Sequence, residues 1–104
     1  MAAGTPVLDT ILDINSASID HSTLSPRELM LARLAAMVAV DAPPASYIAN
    51  GRPSMASGIS QQDIQDVMIA VAPIVGTAKV VSAGGNLLQA LDMAITVAEA
   101  DGAA

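Results

Sequence analysis

Five side chains in this 104-residue sequence have the type and spacing to do chemistry: Arg33, Ser46, Tyr47, Asn50 and Arg52. Arg33 interrupts the most apolar helical run, Leu29–Val40, where a guanidinium can grip a substrate carboxylate through two parallel hydrogen bonds. The same position suits an arginine paired with an acid of its own or a neighbouring subunit, or one that snorkels to the surface. Ser46 and Asn50 are four residues apart and share a face of a short predicted helix, with Tyr47 three before Asn50. Tyr47 is the only aromatic residue; it can line a pocket with its hydroxyl inward, or it can simply pack. Asn50 donates hydrogen bonds but does not titrate. It can orient a substrate carbonyl as an oxyanion-hole donor does, or cap its helix before Gly51. Arg52 suits either the rim of an anion site or open solvent. On the functional reading, Tyr47 and Asn50 are the catalytic candidates, and Arg33, Ser46 and Arg52 bind substrate.

Other chemistries find less support. His21, the only histidine, lies in a polar stretch and reads as a general base or a solvated loop residue. One histidine and scattered carboxylates are too few for a metal site, so no metal is expected. The absence of cysteine removes thiol peroxidase, disulfide-exchange and thiolate-metal chemistry. Gly76, Gly84 and Gly85 follow no strand and precede no Lys-Ser/Thr pair, so they form no phosphate loop, and no cofactor is expected. Asp63 and Asp66 fall in the first turns of a helix, where they favour its dipole. Lys79 reads as an exposed or interface charge.

The elements that hold these residues must account for an unusual composition. Apolar residues make up 53% and charged residues 13%. Glycine raises the apolar share to about 60%, above the roughly 45–50% of ordinary soluble domains, which excludes disorder. Ten acids against four bases give a net charge of −6, so electrostatic binding of nucleic acid is not expected. Neither Leu29–Val40, which contains Arg33, nor Val67–Val75, which contains Pro73, approaches the roughly 20 apolar residues of a membrane span. The opening Met-Ala-Ala-Gly, with no base before Arg27, lacks the pattern of a secretory signal. These features predict a cytosolic protein without a membrane partner. A small domain has much surface for its core. The apolar excess therefore predicts burial against further copies, in a homo-oligomer.

Period and punctuation predict one all-α domain over residues 1–104, of about five to six helices. The first runs over residues 5–18, with Thr5 as cap, Pro6 at the first helical position and an end that loosens over Asn15–Ser18; Ile19–His21 is then a connector. Ser25-Pro26-Arg27-Glu28 is a capping box that starts a mostly buried helix ending near Val40, before Pro43 and Pro44. Ala45–Asn50 predicts a short helix, and Ser54–Ser57 a turn beyond a break at Pro53. Ser60 caps a helix with Asp63 at the box position, kinked or shortened by Pro73 and closed by Gly76. Thr77 caps the last helix, to about Ala100, with 101–104 as a frayed tail. Gly84 and Gly85 inside it read as a weak spot or as the place where a second helix backbone comes close.

The runs LSPRELMLARLAAMVAV and GISQQDIQDVMIAVAPIVGTAKVVSAGGNLLQAL carry a resemblance. Over residues 24–91 the chain resembles the carboxymuconolactone decarboxylase family, which includes the alkylhydroperoxidase D-like proteins. The resemblance implies an all-α fold, assembly as trimers or hexamers, and active sites near subunit interfaces. It also exposes departures. The family's peroxidase branch has Cys-x-x-Cys-x-x-x-His, and those three positions fall on Pro43, Ser46 and Asn50; its preceding glutamate falls on Met30. Peroxidase chemistry is thus not carried over. The decarboxylase branch needs no thiol, though it too usually has a histidine near Asn50.

Two functions follow as expectations. One is a cysteine-independent, decarboxylase-like protein that binds or transforms a small carboxylic acid or lactone at a subunit interface. The other is a non-catalytic oligomeric scaffold or binding module that has lost the family site.

Overall fold

The computed structural model describes residues 4–103, and every regular element among them is helical: α1 Pro6–His21, α2 Pro26–Ala39, α3 Pro44–Ala49, α4 Gly51–Ala56, α5 Gln61–Val75 and α6 Thr77–Ala103. The all-α class read from the sequence holds. α2 is the central helix, packed on α5, α6 and α4, while α3 lies against α6.

Both expected capping boxes form. Ser25 Oγ accepts from the Glu28 amide at 3.1 Å, and Glu28 Oε1 accepts from the Ser25 amide at 2.8 Å. Ser60 and Asp63 repeat the arrangement at 3.0 and 2.8 Å. Each box satisfies two amides that a helix start leaves unpaired. Arg27 then joins the two starts. Its guanidinium donates to both Asp63 carboxylate oxygens, at 2.8 and 2.7 Å, and to the Gly58 carbonyl at 2.9 Å.

Several boundaries differ from the sequence reading. Thr5 does not cap α1; its hydroxyl donates to Asp9 Oδ1 at 3.3 Å. α1 also does not loosen at Asn15–Ser18 but continues to His21. The Asn15 amide and Ser18 hydroxyl accept from Arg33, so they are not free to compete for the local backbone. Pro53 does not break the chain. It is the third residue of α4, in the first turn, where its missing amide has no intrahelical acceptor. α5 runs through Pro73 to Val75, and α6 starts at Thr77 rather than after it and continues to Ala103.

α2 ends by a device the prolines concealed. Asp41 takes φ 55°, its amide donates to the Val38 carbonyl at 3.2 Å, and the Ala42 amide donates to the Met37 carbonyl at 2.9 Å. That is a Schellman closure with aspartate where glycine is usual. α4 ends the same way at Gly58, φ 80°, with Gly58 donating to Met55 and Ile59 to Ser54. The left-handed backbone costs an L-residue about 1–2 kcal/mol, least for Asn and Asp. Asp41→Asn is therefore expected to leave Tm nearly unchanged. Asp41→Val is expected to cost about 1–2 kcal/mol in urea titrations, and an equal Tm for the two variants would refute this account of the turn.

The described core is small and aliphatic except for Tyr47. Leu34, Ala42, Tyr47 and Ala90 form its centre, with Met37, Ile64, Val67 and Leu87 packed around it, and Val38 is fully enclosed. Much apolar surface is left over. Val7, Leu8, Ile11, Leu12 and Ile14 of α1 are all exposed, as are Val81, Leu88, Leu91 and Ile95 of α6. The chain exposes 7088 Å², whereas a folded monomer of this mass exposes about 5,400 Å². Its radius of gyration, 15.0 Å, likewise exceeds the roughly 13 Å typical for this length.

The longest apolar helix lies outside the runs Leu29–Val40 and Val67–Val75. Thr77–Val97 in α6 is long and apolar enough, by length and composition, to cross a membrane. Its polar residues are Thr77, Lys79, Ser82, Asn86, Gln89, Asp92 and Thr96. Gly84 and Gly85 do not break this helix, and a Cβ at either would meet nothing within 4 Å. No other backbone of the same chain therefore comes close to them.

Candidate functional site

Arg33 projects from α2 toward α1. Its guanidinium donates to Asn15 Oδ1 at 2.6 Å and to Ser18 Oγ at 3.3 Å. Both acceptors are neutral, so Arg33 straps α1 to α2 while its charge meets no carboxylate of this chain among the described residues.

Tyr47 faces the other way, into the core against Leu34, Ala42 and Ala90. Its hydroxyl oxygen is buried and has no hydrogen-bond partner among the described residues. Burial first, and the Asp41 charge second, push its ionisation above the usual phenol range. A general acid–base role needs the opposite tuning, with the pKa brought toward the working pH.

Asn50 is half-buried and turned back on α3. Its amide nitrogen donates to the Ser46 carbonyl at 2.9 Å and lies 3.7 Å from Met37 Sδ. The asparagine thus closes α3, and the Ser46 carbonyl accepts its backbone amide as well. Ser46 itself is half-buried, and Arg52 is exposed on α4 with no hydrogen bond or ion pair found among the described residues. His21 ends α1 in solvent, in the last turn, where a base complements the dipole. α3 and the start of α4 therefore gather Ser46, Tyr47, Asn50 and Arg52, but Arg33 is turned to a different element.

The hollows lie elsewhere. One of about 290 Å³, partly open to solvent, is bounded by Ile19, Leu24, Leu29, Met30, Pro53 and Ser57 among others. A second of about 350 Å³ sits at the N-terminal turns of α1, beside Val7, Leu8 and Ile11. Neither is lined by Arg33, Ser46, Tyr47, Asn50 or Arg52. A ligand site combines an apolar wall with a few convergent polar groups, and these hollows add only a single hydroxyl-bearing residue each, Ser57 in the first and Thr5 in the second. No group of three or more metal-ligating side chains occurs among the described residues.

Lys79, read from the sequence as an exposed or interface charge, and Ser82 and Asn86, which the sequence reading does not single out, hold the connector between α2 and α3. Lys79 Nζ donates to the Ala39 carbonyl at 2.9 Å, Ser82 Oγ to Asp41 Oδ1 at 2.5 Å, and Asn86 Nδ2 to the Ala42 carbonyl at 3.1 Å. The signal was the spacing of 79, 82 and 86, which places three polar groups on one helix face. Lys79 and Asn86 satisfy carbonyls at and just beyond the end of α2, and Ser82 holds the Asp41 carboxylate.

No family model, curated protein or solved structure matches this chain.

The best-organised electrostatic group is the Arg27–Asp63 pair, and it is structural. The Arg27 guanidinium, then the Ser60 amide and hydroxyl, hold the Asp63 carboxyl well below the usual carboxylate range. The Ser25 amide and hydroxyl do the same, more mildly, for Glu28. A lowered folded-state pKa contributes stability above the unfolded value, about 3.9 for aspartate, and loses it as pH falls further. Thermal melts should thus be flat near pH 6–7 and fall in Tm below about pH 4. Asp63→Asn is expected to lower Tm at neutral pH and to flatten the acid limb, leaving the Glu28 share. Parallel pH profiles for parent and variant would remove Asp63 from this role.

Proposed function

We propose that this chain is a non-catalytic, self-associating helical module, whose work is done by apolar faces rather than by a reactive site. The observation that carries the reading is the mismatch between the small core and the apolar surface of α1 and α6. About 1,700 Å² more is exposed than a folded monomer of this mass leaves open, whereas a standard interface covers about 800 Å² per partner. That excess suits a chain with two contact faces, as in a closed ring or a dihedral assembly. The trimer or hexamer implied by the likeness to the carboxymuconolactone decarboxylase family fits the same count of faces. Tyr47 as core and Asn50 as helix closure give both residues structural employment, which is what a module without its family's chemistry requires. Light scattering on the purified protein at micromolar concentration is expected to return a whole multiple of the monomer mass. A monomer would end the proposal.

A second reading rests on Arg33. Its guanidinium is bonded only to neutral groups, so a carboxylate would be a stronger partner than either. On that reading a small carboxylic acid or lactone reaches Arg33 at a subunit boundary. Thermal-shift screening of such acids is then expected to stabilise the parent but not Arg33→Ala. Equal response of both proteins would dismiss it.

A further inference from the structure

α6 carries two apolar stripes, and only one is used within the chain. Ala83 and Ala90 are buried, and Leu87 packs on the core cluster. Beside that face run Val81, Gly84, Leu88, Leu91 and Ile95, alternately three and four residues apart. This is the a/d repeat of a two-helix seam. Its large members are 68, 70, 50 and 47% exposed. The remaining arc holds Ser82, Gln89, Asp92 and Thr96, with the exposed Met93 and Val97 toward its edge.

We propose that this stripe is a contact between two copies of the chain, with the two α6 helices antiparallel about a two-fold axis between Leu88 and Leu91. The inference rests on the self-associating reading above and names the face that carries it. Turned end for end about that midpoint, the stripe matches itself. Leu88 of one copy meets Leu91 of the other, and Ile95 meets Gly84. A large side chain thus seats where the opposite helix has none, and the space around Gly84 is free of atoms of its own chain. This gives the glycine, costly inside a helix, a physical reason.

Charge selects the direction. Asp92 and Glu99 flank the seam, and the one lysine of α6 is engaged with the Ala39 carbonyl. Parallel helices would set each acid beside its own copy with no base between them. Antiparallel helices carry the two Glu99 to opposite ends, set the two Asp92 about five residues, some 7.5 Å, apart along the axis, and oppose the two helix dipoles. Ser82, Gln89, Asp92 and Thr96 on that arc argue for a second copy over a lipid bilayer, because hydrocarbon offers such groups no hydrogen-bond partner.

The absence of cysteine makes the register directly readable. Gly84→Cys and Ile95→Cys proteins are mixed under reducing conditions and then oxidised. The expected result is a disulfide-linked dimer in the mixture and none from either variant alone, since like positions lie about eleven residues, some 16 Å, apart along the helix. Self-linking of each variant alone would establish a parallel pair and overturn the proposal. No link in any sample, from a parent that light scattering shows to be oligomeric, would move the interface to another face and leave the self-associating reading intact. A monomeric parent would end both. Gly84→Leu supplies the second arm. It is expected to keep or raise helical circular dichroism while weakening association at least tenfold. An unchanged mass, or flotation of the parent with phosphatidylcholine vesicles in place of cross-linking, would overturn the proposal.

Discussion

Replacing Tyr47 by alanine is expected to cost about 3–5 kcal/mol, the range for removing an aromatic side chain from a packed core. Tyr47 is 6% exposed and touches the centre of the one core cluster described. A domain of this size has about 5–15 kcal/mol of total stability, so the variant should be largely unfolded on moderate warming. Tyr47→Phe should act in the opposite direction. The hydroxyl is buried without a partner, and removing such a group recovers part of a desolvation cost of about 1–3 kcal/mol. A higher Tm for Tyr47→Phe together with a collapsed Tyr47→Ala would identify a core residue. A Tyr47→Phe that is less stable than the parent would show that the hydroxyl has a partner, and would revive its candidacy as a working group.

The second large effect is expected at Gly76, the single residue between α5 and α6. Its φ of 92° and ψ of 157° lie in a region that side-chain-bearing residues essentially never occupy. A Cβ there would meet nothing within 4 Å, so the cost of Gly76→Ala is conformational and not a clash. About 1–3 kcal/mol is expected, read from urea or thermal unfolding. The consequence reaches further than one residue. Gly76 sets the angle at which α6 leaves α5, and α6 brings Lys79, Ser82 and Asn86 to the connector after α2. If Gly76→Ala weakens those bonds as well, it and Ser82→Ala will be non-additive in a double-mutant cycle. Strict additivity would show that the turn and the connector are independent.

What could be read in advance follows the range of the interactions involved. Ser25 with Glu28 and Ser60 with Asp63 lie within four residues of one another, so spacing alone places both caps, and helical periodicity places the bodies of α1, α2, α5 and α6. Composition likewise announces the apolar surplus, because too little polar surface is encoded to cover it. The helix ends proved less legible. Asn15 and Ser18 look like helix breakers until Arg33, on a different helix, occupies them. Pro43 and Pro44 look sufficient to end α2, although Asp41 in the left-handed region is what turns the chain.

The candidate site was legible as residue types and spacing, but not as geometry. Ser46 and Tyr47 lie on α3 as their spacing predicts, because their relation is local, and Asn50 falls just past its end as the cap. Which way each side chain faces depends on neighbours far along the chain. Leu34 and Ala90 enclose Tyr47, Met37 lies beside Asn50, and α1 takes up Arg33. A helical repeat identifies which residues share a face; only packing between distant segments decides whether that face meets a core, a solvent or another chain. Sequence by itself thus determined an all-helical, cysteine-free, acidic chain with more apolar surface than one domain can bury. Tertiary structure alone decided that its tyrosine is core, its central arginine a strap and its α6 stripe open, because burial arises from contacts that no local spacing encodes.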